Sequence, residues 1–153
     1  MHSLNSRIPP LVVFAVVAGF MWLAAKVAPA TSFPFPARQI IALGMVAVGV
    51  GVAVAGVVSF RLAKTTVNPL KPETASSLVV TGIYRVTRNP MYLGALIVLI
   101  GWAVFLSNAL ALILAGTFVL YLNRFQIIPE EKALTARFGS EFSDYCAKVR
   151  RWI

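Results

Sequence analysis

The chain has 153 residues, of which 59% are apolar and only 12% charged, and its formal net charge is +9. Soluble domains carry roughly a quarter of their residues as charged groups, so this composition excludes an ordinary water-soluble protein and indicates an integral membrane chain of single-domain length, 1–153. The positive charge does not point to nucleic acid, because Lys and Arg lie between long apolar runs and not on a solvated face.

With Cys146 the one cysteine and His2 the one histidine, neither an intramolecular disulfide nor a Cys/His metal cluster can be assembled, and no metal site is expected. Cys146 is expected to be a small packing residue.

After a short polar tail, Leu11 to Val27 is almost uninterrupted Val, Ala, Phe, Leu, Met and Trp, which predicts a first membrane helix near 11–27. Pro9 and Pro10 suit its first turn, where a missing N–H is harmless. Three prolines make Ala28 to Pro36 a connection. A second helix is predicted near 37–60. The G-V-G-V-A-V-A-G run from Gly49 to Gly56 echoes a dinucleotide-binding loop, but it lies inside an apolar helix instead of after a strand, so packing explains these glycines. Ala47, Gly51, Ala55 and Ser59 recur every fourth residue, a small-residue face that admits close approach by another helix and permits a homodimer.

Arg61 to Asn89 is the longest polar segment, with Arg61, Lys64, Lys71, Arg85 and Arg88 against the lone acid Glu73, plus Pro69 and Pro72. It is too long for a simple turn, and function is expected there. A third apolar run covers 90–106. Ser107 and Asn108 make a tight turn, and a fourth run follows over 109–128, so these two helices form an antiparallel hairpin. Asn123 and Arg124 then fall near a membrane boundary, where an arginine is costly unless it snorkels or lines a polar cavity.

Beyond Pro129 the sequence is amphipathic. Leu134, Phe138, Phe142, Tyr145 and Val149 share one helical face, interrupted at Gly139. Such a helix either lies on the headgroups or folds back over a site. The fold class is therefore all-α: about four membrane helices and a cytosolic amphipathic C-terminal helix. Twelve of the fourteen Lys and Arg residues fall on the side shared by the two termini and the 61–89 loop, whereas Lys26 and Arg38 face the other way. The positive-inside bias places both termini and the polar segments on the cytoplasmic side of an inner or cytoplasmic membrane.

The stretch Gly82 to Gly94 reads G-I-Y-R-V-T-R-N-P-M-Y-L-G. Asn89 suits an N-cap and Pro90 a first turn. The helix start, with Arg88 beside it, makes an anion site for a carboxylate or phosphate. Tyr84 and Tyr92 offer aromatic faces to a heterocycle or a cation. Glu130 and Glu131, the only adjacent acids, can accept hydrogen bonds from a diol or balance a positive ligand.

That stretch, preceded by T-T-V-N-P-L-K-P and followed by P-E-E-K-A-L-T-A-R-F-G-S-E-F-S-D-Y, resembles the isoprenylcysteine carboxyl methyltransferase and phospholipid methyltransferase superfamily over Thr65 to Ile153. The resemblance implies an integral membrane methyltransferase that uses S-adenosylmethionine, held in a cytosolic pocket formed by motifs 82–94 and 124–145. It also implies a lipophilic or lipid acceptor arriving from the bilayer. Arg88, Asn89, Pro90, Tyr92 and Gly94 match the R-[HN]-P-x-Y-x-G signature, Glu130 and Glu131 the double-glutamate motif, and Leu134, Phe138, Gly139 and Tyr145 the segment that covers the cofactor. Tyr84 joins the cofactor-binding set. Arg124 resembles the arginine ahead of the double glutamate, so Arg124 and Glu131 are the candidates for a catalytic role. Two alternatives remain: a sterol-reductase-like membrane enzyme using a nicotinamide cofactor, and a non-enzymatic protein binding anionic membrane lipid.

Overall fold

A computed structural model describes residues 8–33, 35–63 and 77–153. Lys64, Lys71 and Glu73, the flanking prolines and the T-T-V-N-P-L-K-P segment lie outside the described residues, as do His2 and Arg7. The described residues are helical, without named strands. Helix α1 runs Pro10–Val27, α2 Arg38–Leu62, α3 Pro90–Leu106, α4 Ala109–Leu122, α5 Ile128–Phe138 and α6 Ser140–Lys148, with a π segment at Asn123–Ile127 and 3-10 turns at Pro29–Thr31 and Gly82–Arg85.

Pro10 opens α1 and Pro90 opens α3, each where an N–H has no helical partner to lose. The α3–α4 hairpin forms as predicted. Ser107 takes the left-handed conformation (φ 49°) that ends α3. Asn108 then caps α4, its Oδ1 accepting from the Ala111 N–H at 3.0 Å while its amide donates to the Ala28 carbonyl at 3.2 Å. One buried side chain thus ties the hairpin to the end of α1.

Among the described residues, three continuous helices are long and apolar enough to cross a membrane: Pro10–Val27, Arg38–Leu62 and Ala109–Phe138. The other predicted span, α3, has 17 residues. At 1.5 Å per residue it covers about 25 Å, short of a hydrocarbon core of about 30 Å. It lies against α1, α2 and α4.

The α2–α3 seam depends on glycine. A Cβ on Gly49 would fall 2.8 Å from the Val98 side chain, one on Gly94 would collide with the Gly49 carbonyl and lie 2.8 Å from the Ala53 nitrogen, and one on Gly56 would meet Pro90 at 3.0 Å. Packing explains Gly49 and Gly56 of the run but not Gly51, and the face differs from the expected one. Ala47 and Gly51 are exposed, and the buried positions of α2 are Ala42, Gly49, Gly56 and Ser59. Three of these recur every seventh residue, the spacing that keeps one seam facing a neighbouring helix.

The main core joins α1, α3 and α4 through Met21, Leu99, Phe118, Leu122 and Ile127. At Asn123 the fourth helix widens into a five-residue π turn and continues into α5 with no break at Pro129. Proline in a regular helix clashes with the carbonyl four residues earlier, and a wider turn relieves that clash. The polypeptide then turns at Gly139 (φ 54°) into α6. Leu134, Phe138, Phe142, Tyr145 and Val149 pack on Phe60, Val79 and Tyr84 in a second core. The amphipathic segment therefore folds back onto the protein.

Candidate functional site

The site forms where α3 begins and the π segment passes into α5. Gly82, at φ 61°, enters the 3-10 turn, and a Cβ there would sit 2.8 Å from the Ser59 hydroxyl. The turn delivers Tyr84 inward and leaves Arg85 exposed. Tyr84 meets Phe60 edge to face at 5.3 Å, and its carbonyl accepts a 2.7 Å hydrogen bond from the Tyr145 hydroxyl. Burial, with Tyr145 and Glu130 nearby, holds the Tyr84 phenol far above its ordinary range. Burial does the same to Tyr145, so both remain neutral.

Asn89 does not cap α3 through its side chain. Its amide instead donates to the Arg151 carbonyl at 2.9 Å, while the Asn89 N–H reaches back to the Thr87 hydroxyl at 3.2 Å. The C-terminal tail, lying alongside the Thr87–Asn89 backbone, has captured the amide: the Arg88 N–H donates to the Arg150 carbonyl at 3.1 Å. Pro90 and Gly94 face α2, and packing occupies both.

The charged centre is Glu131. Its Oε1 lies 3.1 Å from Arg88 Nη1, and Arg151 grips the same carboxylate with two bonds, Nε to Oε1 at 3.0 Å and Nη2 to Oε2 at 2.6 Å. The bidentate geometry suits a guanidinium, and the bond to Glu131 raises the Arg151 pKa further above its ordinary value. Arg88 also contacts the Cys146 sulfur. Its Nε is buried and has no partner among the described residues. Leaving such a donor unpaired costs about 1–3 kcal/mol, which an anionic ligand group would recover.

Glu130 takes a different direction, accepting a 2.6 Å hydrogen bond from the Tyr92 hydroxyl of α3. Successive residues on a helix point about 100° apart, so the two glutamates hold two different partners. Both motifs therefore converge: Arg88 and Tyr92 from one, Glu130 and Glu131 from the other.

Arg124 is not brought into this cluster. It is exposed, with its guanidinium 5.7 Å from the Phe125 ring centroid. The π turn moves the register so that Gln126 and Ile127 point inward instead. Arg151 supplies the second guanidinium. Neither it nor Trp152, whose indole N–H donates to Asn123 Oδ1 at 3.1 Å, stood out in the sequence beyond contributing to the basic tail. The signal available was a basic and aromatic run directly after an amphipathic helix.

Apolar helices carrying a half-buried cluster of guanidiniums, carboxylates and tyrosines at one end define a class: helical membrane proteins with a polar cluster at one end of the bundle. A family model described as phospholipid methyltransferase matches residues 37–141, and the chain belongs to that family. Two Oryza sativa proteins, from subspecies indica and japonica, each called a probable protein-S-isoprenylcysteine O-methyltransferase, are 36% identical over 110 residues, covering 71% of this chain and 57% of each rice protein. The chain thus matches a little over half the length of those relatives. An uncharacterized Haemophilus influenzae protein is 44% identical over 63 residues, covering 41% of this chain and all of that protein.

Proposed function

We propose that the protein transfers a methyl group from S-adenosylmethionine to a lipophilic acceptor that reaches the site from the bilayer. The observation that carries this reading is the 3.1 Å approach of Arg88 to Glu131, which joins two motifs 43 residues apart in the chain into one charged cluster. The residues fit the cofactor. The unpartnered Arg88 Nε suits its carboxylate, the double glutamate its ribose hydroxyls, and Tyr92 an aromatic face for its sulfonium.

When bound, the cofactor supplies an electrophilic methyl group. The chain's own contribution is position and exclusion of water, since an in-line displacement needs little covalent help. Tyr92 and Arg151 fix the carboxylates of Glu130 and Glu131, and α5 and α6 pack on the Gly82–Arg85 turn that leads toward α3. A carboxylate acceptor needs no base. For an amine acceptor, Glu130 is the group to take the released proton. The excess of basic residues at this end favours a cytoplasmic site and cytoplasmic termini.

The test is transfer of radiolabelled methyl from S-adenosylmethionine into the organic phase of a lipid extract supplied to the purified protein. Label is expected in the lipid phase with wild type and not with Glu131→Ala. An unlabelled lipid phase with cofactor-saturated wild type would refute the lipophilic acceptor.

A further inference from the structure

At the far end of the bundle, α1 packs chiefly on α4 and α2 on α3, and α1 and α2 scarcely touch. The face of α3 between them is left open as a groove of about 600 Å³. Ala18 of α1 and Leu43 of α2 form its walls, and Val98, Trp102 and Phe105 its floor. Gln39 is its one polar side chain apart from the Trp102 indole N–H, which is occupied by the Ala18 carbonyl at 3.1 Å. Arg38 holds its guanidinium 6.0 Å from the Phe105 ring centroid, which places a cation at the mouth. From Tyr92 to Phe105 along α3 is thirteen residues, about 20 Å, so this mouth is remote from the Arg88–Glu131 cluster.

An apolar trough that ends in an amide and a guanidinium matches an amphiphile with an anionic head. We propose that the groove binds an anionic phospholipid from the leaflet opposite the charged cluster, its phosphate beside Arg38 and Gln39 and one acyl chain along α3 between α1 and α2. A second copy of the chain is a poorer occupant. Its described acids, Glu130, Glu131, Glu141 and Asp144, all lie at or beyond the other end of the helices and offer Arg38 no partner at the groove. The inference does not depend on methyl transfer.

The test uses Trp22→Phe/Trp152→Phe protein, in which Trp102 is the sole indole, reconstituted in phosphatidylcholine vesicles with increasing brominated lipid. Brominated phosphatidylglycerol is expected to quench Trp102 with about fivefold higher apparent affinity than brominated phosphatidylcholine, the discrimination expected of one basic residue at a membrane surface. Arg38→Ala should erase that preference, while Lys26→Ala, a cation at the same end placed over Trp22, should leave it intact. Native mass spectrometry of wild-type protein should show retained phosphatidylglycerol on a monomer. Equal quenching by the two lipids, an unchanged preference in Arg38→Ala, an equal loss in Lys26→Ala, or a lipid-free dimer would each overturn the proposal.

Discussion

Glu130 and Glu131 are adjacent in the chain, yet one is bonded to a tyrosine of α3 and the other is clamped by two arginines. Adjacency was legible in the sequence, and so was the place of Arg88 beside the α3 start. The division of labour was not, because it depends on helical phase after a π turn and on a tail that returns to the site. Two arginines separate the readings. Arg151→Ala leaves Glu131 with Arg88 alone and is expected to weaken cofactor binding at least tenfold, whereas Arg124→Ala, at an exposed position, should change binding less than twofold and stability by no more than about 0.5 kcal/mol. Isothermal titration and thermal unfolding of the two variants side by side check this. Tyr145→Phe removes the bond to the Tyr84 carbonyl while keeping the ring. It should cost about 1 kcal/mol, read as a lower unfolding midpoint in detergent.

Between elements, the α2–α3 seam is decided by which glycine faces inward. The sequence offered Gly49, Gly51 and Gly56 within eight residues, and a four-residue repeat and a seven-residue repeat were both present. Composition cannot choose between them, because in lipid a small residue is acceptable on either face. The structure sets Gly49 against Gly94 and Val98, and leaves open space where a Gly51 Cβ would go. Gly49→Leu is therefore expected to destabilise the fold by about 1–3 kcal/mol or more through overpacking. Gly51→Ala should be neutral or stabilising by about 0.5–1 kcal/mol, since it removes backbone freedom without a clash. Unfolding in mixed micelles read by circular dichroism distinguishes them. The junction near residues 122–128 was similarly ambiguous. A helix end and a helix that widens before Pro129 look alike in hydropathy, and only the continued backbone separates them.

Across the molecule, the all-α membrane architecture and the α3–α4 hairpin follow from apolar run length and the two-residue turn, and the sequence was sufficient for both. The folded-back C-terminal helix was legible as a periodic apolar face, though its partner surface, Phe60, Val79 and Tyr84, was not. Closure of the site is a long-range event: Arg150 and Arg151 carbonyls pair with Arg88 and Asn89, some sixty positions earlier, and local pattern carries no information about such a pairing. The chain thereby brings both motifs and the C-terminal tail into one polar end of an otherwise apolar bundle. On the proposed reading, this end binds S-adenosylmethionine. Its most direct test is calorimetric titration of the purified protein in detergent. Saturable one-site binding is expected for wild type, with binding lost in Arg88→Ala and in Glu131→Ala while their helical circular dichroism is retained. An absence of measurable heat with folded wild-type protein, or unchanged affinity in both variants, would contradict it.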